Sequence, residues 1–353
     1  SIRSEERFGE SKTMIRGLEN QLLFRRFVLS SPMSRRVVTL LAVHAALLGR
    51  ADSADAAWAR QQERLVAVCS TTQVADFVRQ VVGDRWEVVC VLAPGQDPHT
   101  YQTTTDDARQ VARATLCFEN GWHLEGADWM RKLAENAGKP IVTCVDGLEP
   151  LVIEEEGRTT NDPHAWFSPA NAAHYVRTIR DAVVGIDPGH ASEYRARADA
   201  YVLQLGALHQ WALRELADIA PDQRILITNH DAFGYFCRDY GFRAVTPVGW
   251  STKDEIGGGA SIDRHDEVVR TVRSAGVRSI FVETSINPRM MQQLAEETGV
   301  VVGGTLYSDS MGAADSAGES YVGMMRENVL RIVSGLAIEP TAPRRASVDA
   351  PER

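Results

Sequence analysis

From Leu65 onward the chain alternates short β-branched runs with longer amphipathic stretches, and this rhythm limits the possible folds more than any other feature. The runs at Leu65–Cys69, 86–92, 115–118 and 141–145 are too short for typical helices and read as strands. Between the first two, Thr72–Val82 sets apolar residues at Val74, Phe77, Val78, Val81 and Val82, the spacing of one helix face. Thr105–Arg113 and 124–137 follow as helices. Strands alternating with helices of this length predict βαβ units around a mostly parallel sheet. Glu154-Glu155-Glu156-Gly157 then reads as an acidic loop, and Ser168-Pro169 opens a helix with Ser as N-cap and Pro in the first turn.

Beyond Asp187-Pro188 nothing strongly breaks a helical pattern before Pro221. About 30 helical residues span roughly 45 Å, too long for a small lobe and suited to a strut between two. The rhythm then resumes, with strands at 224–228, 244–248, 279–282 and 300–303. Helices are expected at 232–240, Ile262–Ala275, 288–298 and 321–335, with a Gly-rich loop at 251–261. The expected architecture is α/β: two Rossmann-like βα lobes joined by a single long rigid helix. Residues 57–187 form the N-terminal lobe, 188–220 the linking helix and 221–335 the C-terminal lobe, and 336–353 are a disordered tail.

Composition narrows the function. The 353 residues are 44% hydrophobic and 24% charged, ordinary values that exclude a mostly disordered chain. Several apolar runs of ~20 residues, which a polytopic membrane protein requires, are missing. The net charge of −9 argues against a nucleic-acid partner. Residues 1–56 carry nine basic and six acidic side chains, so the remainder holds −12. Within that basic head, Met33-Ser34-Arg35-Arg36, a dozen mostly apolar residues and a small-x-small site at Ala54-x-Ala56 predict a cleavable secretory signal. Cleavage is expected near Ala56 and Met33 is a candidate start, with the pair Arg35-Arg36 allowing a twin-arginine route. The expected location is the periplasm. No Cys follows the apolar run before Cys69, so no lipid anchor is expected there, and Cys69, Cys90, Cys117 and Cys144 read as buried strand thiols.

Four expected loop ends carry metal-ligand types: Asp97-Pro98-His99, Asp162-Pro163-His164, Asn229-His230-Asp231 and Tyr307-Ser308-Asp309. In open α/β sheets, sites form outside the carboxyl ends of the strands. In the repeated Asp-Pro-His triplet, proline fixes the backbone and aims the imidazole, and the neighbouring carboxylate can accept the second ring N–H.

With these residues and the segments PHTY (98–101), NGWHLE (120–125), DPHAWFSP (162–169), NHDAFGYFCRDYGF (229–242), FVETSINP (281–288) and GGTLYSDSMG (303–312), the chain resembles the periplasmic metal-binding solute proteins of zinc/manganese ABC importers, the TroA-like receptors. The match runs from about Leu65 to Gly335, and the separations of 65, 66 and 79 residues between candidate ligands fit as well. The resemblance implies a metal site in the interlobe cleft, built by His99, His164, His230 and Asp309, and delivery of the ion to a membrane permease. Glu283, at the end of an expected strand, Asp231, beside His230, and His123, in the turn the family shares, are expected as supporting groups around these residues. Three imidazoles and one carboxylate suit Zn²⁺, with Mn²⁺ or Fe²⁺ as alternatives. Manganese-specific members usually carry Glu where this chain has His230, and many zinc-specific members carry a His-rich loop where this chain has Glu154–Asn161.

Four protein donors leave little room for an activated water, so the chain reads as a monomeric receptor and not an enzyme. A zinc-dependent hydrolase would need an open position and a general base, as in H-E-x-x-H, which the chain lacks. A surface adhesin-type metal-binding protein would need an attachment signal. His174, His190, His209 and His265 fall on expected helices and read as solvated.

Overall fold

The computed structural model describes residues 64–155, 158–245, 262–285 and 288–337. Those from Leu65 onward belong to one compact unit. The expected leader at 1–56, the Gly-rich loop at 251–261 and the tail beyond residue 337 lie outside the described residues.

The first lobe is built on β1 (Leu65–Cys69), β2 (Trp86–Cys90), β3 (Leu116–Glu119) and β4 (Ile141–Thr143), all parallel in the order β2-β1-β3-β4. The crossovers are α1 (Thr72–Val82), α2 (Thr105–Arg113) and α3 (Trp129–Asn136). Alternation along β1 divides the core. Ala67 and Cys69 pack with Phe77 and Val78 of α1, whereas Val66 and Val68 pack with Val111, Trp129 and Met130 of α2 and α3. Caps set the helix starts: the Thr71 hydroxyl accepts from the Val74 amide, and Thr104 and Asp107 form a reciprocal capping box. Strand order reverses between β1 and β3, which makes their carboxyl ends the switch point where such folds bind ligands.

The acidic stretch at 154–157 was expected as a loop, and its flanks instead form an antiparallel hairpin. β5 (Val152–Glu155) pairs with β6 (Arg158–Asn161) in the register Val152↔Asn161 to Glu155↔Arg158. The glutamates hide the β-branched Val152, Ile153, Thr159 and Thr160 that favour strands. The helix expected at 124–137 starts only at Trp129, because Ala127 and Asp128 adopt left-handed conformations.

α4 (Pro169–Ile186), capped by Ser168, leads into the long helix α5 (Ala191–Glu215). At 25 residues α5 spans about 37 Å, shorter than its sequence pattern suggested, since Pro188–His190 form a 3₁₀ turn and the helix stops at Leu216. It is a spine packed along one face rather than a free strut. Tyr194, Ala198, Tyr201, Leu205, Leu208 and Ala212 recur at alternating intervals of four and three and are all buried. Near its start, Tyr194 receives the Trp86 indole N–H at 3.1 Å; near its end, His209 meets the Tyr240 hydroxyl at 3.2 Å, and Trp211 lies under the Arg326 guanidinium.

The second lobe contains β7 (Ile225–Ile227) paired with β8 (Arg243–Val245), and β9 (Ser279–Glu283) paired with β10 (Val301–Leu306), both parallel. Helices α6 (Gly234–Tyr240), α7 (Ile262–Ala275), α8 (Arg289–Thr298) and α9 (Tyr321–Leu336) complete it. β10 runs three residues past its expected end, because a register shift at Gly303 lets the strand continue beyond the glycine pair. Ile227, Val272, Ile280, Met291 and Leu294 form a core cluster of this lobe. The fold is thus two α/β lobes bridged by a helix.

Candidate metal centre

The loop after β3 is the foundation of the site. Trp122, His123, Ala127 and Asp128 all have positive φ, a conformation that costs such residues about 1–3 kcal/mol each. Glu125 is buried within this turn and offsets that cost. Its Oε1 accepts from the Ser70 hydroxyl at 2.6 Å and the Asn120 amide at 2.7 Å, and its Oε2 accepts from the Gly121 amide at 3.2 Å. Burial raises the Glu125 pKa to about 7 against those donors, with Glu119 adding to the rise.

Both Asp-Pro-His loops rest on this turn. The Pro98 carbonyl accepts from the Gly126 amide at 3.3 Å and the Trp129 indole at 2.9 Å. The Pro163 carbonyl accepts from the Asn120 side chain at 2.9 Å, and Asn120 is itself held by the Tyr175 hydroxyl at 2.6 Å. Gly126 approaches the His99 backbone so closely that a Cβ there would land on the His99 carbonyl oxygen.

His99, His164, His230 and Asp309 converge, with one ligand-type atom from each lying within 4.8 Å of all the others. His164 Nε2 is 3.3 Å from His99 Nε2 and 3.3 Å from Asp309 Oδ1. His99 Nε2 and His230 Nδ1 each lie 3.7 Å from Asp309 Oδ2. Three members are buried, and the His99 side chain keeps 14% of its surface exposed. His99 follows β2, His164 lies between β6 and α4, His230 follows β7 and Asp309 follows β10, so each stands in a loop after a strand.

Two of the rings are aimed by carboxylates. Asp162 Oδ1 accepts from the His164 amide at 3.0 Å and faces its Nδ1 at 2.7 Å. Glu283, at the end of β9, accepts from the His230 amide at 3.0 Å and faces its Nδ1 at 3.0 Å. Asp97 differs from its twin in the first triplet: it takes the His99 amide at 2.8 Å and the Thr100 hydroxyl at 2.8 Å. Asp231 makes no hydrogen bond to these rings. Its pKa is raised by burial and by Asp162, with His164 and His230 opposing. His123 stands apart, exposed, with Nδ1 3.7 Å from Asp128.

Burial alone would lower the imidazole pKa values, yet the carboxylates outweigh it. Asp162 and Asp309 push His164 up to about 10, and Asp309 and Glu283 push His230 up to about 9. Burial would likewise raise Asp309, but His230, His164 and His99 hold its carboxyl well below the usual range. Both Asp309 oxygens are buried and have no hydrogen-bonding partner beyond the surrounding imidazoles, so their charge depends on those rings or on a cation bound among them.

Three other histidines were expected to be solvated and are instead half-buried and bonded. His174 meets the Asp146 carbonyl, His190 the Asp187 carboxylate and His209 the Tyr240 hydroxyl. The side chain of His265 lies outside the described residues. Asp162 emerges as a partner that only its place beside Pro163 could have signalled; Thr72 and Gln73, whose bonds reach the backbone on either side of Asp309, carry no signal in the sequence.

The profile of the family described as "Zinc-uptake complex component A periplasmic" matches residues 67–335, and the chain belongs to this family. It is 32% identical over 302 residues to the manganese-binding lipoprotein MntA of Halalkalibacterium halodurans, covering 85% of this chain and 97% of the relative. Among solved structures it resembles the periplasmic zinc-binding protein TroA of Treponema pallidum, with 29% identity, a TM-score of 0.71, and coverage of 78% of this chain and all of that one. The Mn-bound periplasmic metal-binding protein of Candidatus Liberibacter asiaticus is similar at 27% identity and a TM-score of 0.68, covering 77% of this chain and all of its own.

Proposed function

We propose that the protein captures a divalent transition metal outside the cytoplasm and delivers it to the membrane permease of an ABC importer. The observation that carries this reading is the meeting of His99, His164, His230 and Asp309 around a buried carboxylate that no other donor serves. In this reading those four residues are the ligands, and Asp162 and Glu283 fix the rings of His164 and His230. His164 then binds through Nε2, because its Nδ1 is taken by Asp162. Four protein donors complete a tetrahedral shell, which favours holding the ion over activating a water on it.

Zn²⁺ is the favoured cargo, ahead of Mn²⁺ and Fe²⁺. Three nitrogens and one oxygen make a borderline donor set, and Mn²⁺ prefers more oxygen. Relatives named for both metals, MntA for manganese and TroA for zinc, keep the two within reach of one scaffold. We assign residues 57–187, 188–220 and 221–335 to the N-terminal lobe, the linking helix and the C-terminal lobe, with export directed by residues 1–56 and the protein acting as a monomer.

Titration calorimetry with Zn²⁺ and Mn²⁺ tests the reading. Wild-type protein should bind one ion, and His99→Ala or Asp309→Ala should abolish stoichiometric binding. Unchanged titrations in both variants would refute the site. Metal analysis of protein taken from its native compartment tests the preference, and manganese as the dominant ion would overturn the choice of zinc.

A further inference from the structure

Asp309 is held differently from the two buried imidazoles. His164 and His230 each have a carboxylate of their own to aim the ring, whereas the Asp309 side chain has no hydrogen-bonding partner outside the other candidate ligands. Its direction must come from its backbone. That backbone is secured on both sides by groups from the opposite lobe. The Gln73 side-chain amide donates to the Ser308 carbonyl at 2.9 Å, and the Met311 amide donates to the Thr72 hydroxyl at 2.9 Å. The Thr72 hydroxyl donates in turn to Gln73 Oε1 at 3.0 Å, which closes the ring, and the Gly95 amide donates to the Ser310 hydroxyl at 2.7 Å.

Thr72 and Gln73 form the first turn of α1, a helix whose buried face is locked into the first-lobe core. Thr72, Gln73, Ser308, Asp309 and Met311 are all buried, so water does not replace these bonds while the lobes are together. Any tilt that draws α1 from the end of β10 must break both bonds flanking Asp309.

We propose that Thr72 and Gln73 are positioning residues for Asp309, a clasp across the cleft that ties carboxylate coordination, and hence the metal release rate, to the contact between the lobes. This rests on the metal-binding reading above. A partner that pries the lobes apart would thereby withdraw the carboxylate without touching it.

The test loads the full chain with Zn²⁺ and follows its loss to excess chelator by stopped flow. Thr72→Val and Gln73→Met should release the ion about tenfold faster or more, in the range typical of groups that support metal ligands. Thr72→Ser, which keeps the hydroxyl, should release it at the wild-type rate. In the Co²⁺ form, the visible absorption of the two fast variants should shift and that of Thr72→Ser should not. Release at the wild-type rate from Thr72→Val and Gln73→Met, even with a lowered melting temperature, would reduce the clasp to a structural contact and overturn the proposal. Should either variant fail to fold, amide exchange at Met311 in the metal-free wild type decides: protection supports the clasp and free exchange overturns it. A wild-type protein that binds neither Zn²⁺ nor Mn²⁺ would instead defeat the metal-binding reading itself.

Discussion

At the residue scale, carboxylates fix two imidazoles of the candidate site, and this has measurable consequences. Glu283→Gln and Asp162→Asn remove the charge that aims His230 and His164, and each should weaken Zn²⁺ binding about 10–100-fold in competition titrations. Binding should also expel protons. Since the neighbouring carboxylates raise their pKa values to about 10 and about 9, His164 and His230 should hold a proton at pH 7 when no metal is bound. Each must lose that proton to coordinate. Calorimetry in buffers of different ionisation enthalpy should therefore show proton release, and affinity should fall as the pH is lowered. The same shifts act on the metal-free fold. Both pKa values lie above the ordinary imidazole value of ~6.5, so their stabilisation is fully present below ~6.5 and is lost as the pH rises through about 9 and then about 10. Thermal melts of the metal-free protein should show the decline. The candidate ligands were legible because Asp-Pro-His occurs twice and because His230 and Asp309 follow apolar runs that read as strands. Asp162 was legible only as a neighbour. Glu283 and Asp231 were both expected beside the rings. Asp231, adjacent to His230 in sequence, makes no bond to them, while Glu283, 53 positions away, bonds His230; pairing across strands, not proximity along the chain, decides which carboxylate arrives.

At the element scale, the turn after β3 is the support that carries both Asp-Pro-His loops. Gly126→Ala would place a methyl group on the His99 carbonyl and should lower metal affinity while leaving far-ultraviolet circular dichroism unchanged. This turn was read as the start of a helix because 124–137 keeps helical periodicity. Periodicity does not register that Ala127 and Asp128 are forced to positive φ by the bonds that Glu125 and Trp129 make elsewhere. The strands and helices of both lobes were legible because β-branched runs and one-face apolar spacing agree with the local bonds; Ser168 was read as a cap, and Thr71, Thr104 and Ser320 cap their helices in the same way. The hairpin of β5 and β6 was missed because four charged or polar residues at its tip outweighed β-branched flanks in any local reading.

At the scale of the whole molecule, α5 sets the mechanics. Its buried face contacts both lobes along its length, so Leu205→Ala or Leu208→Ala should cost about 2–5 kcal/mol in denaturant unfolding. A continuous helix packed in this way should restrict metal-linked closure to a few degrees of tilt. Small-angle scattering should show little compaction on adding Zn²⁺, and a large decrease in radius would contradict it. The cysteines have a separate consequence. All five are free, four are buried, and burial pushes the half-buried Cys90 thiol up to about 12, so the folded molecule offers almost no thiolate to an oxidant. Opening the fold releases five thiols with ordinary acidity, an odd number that cannot all pair within one chain. Covalent dimers formed in an oxidising buffer therefore accumulate no faster than the molecule opens, and their slow growth on a non-reducing gel is a clock for unfolding.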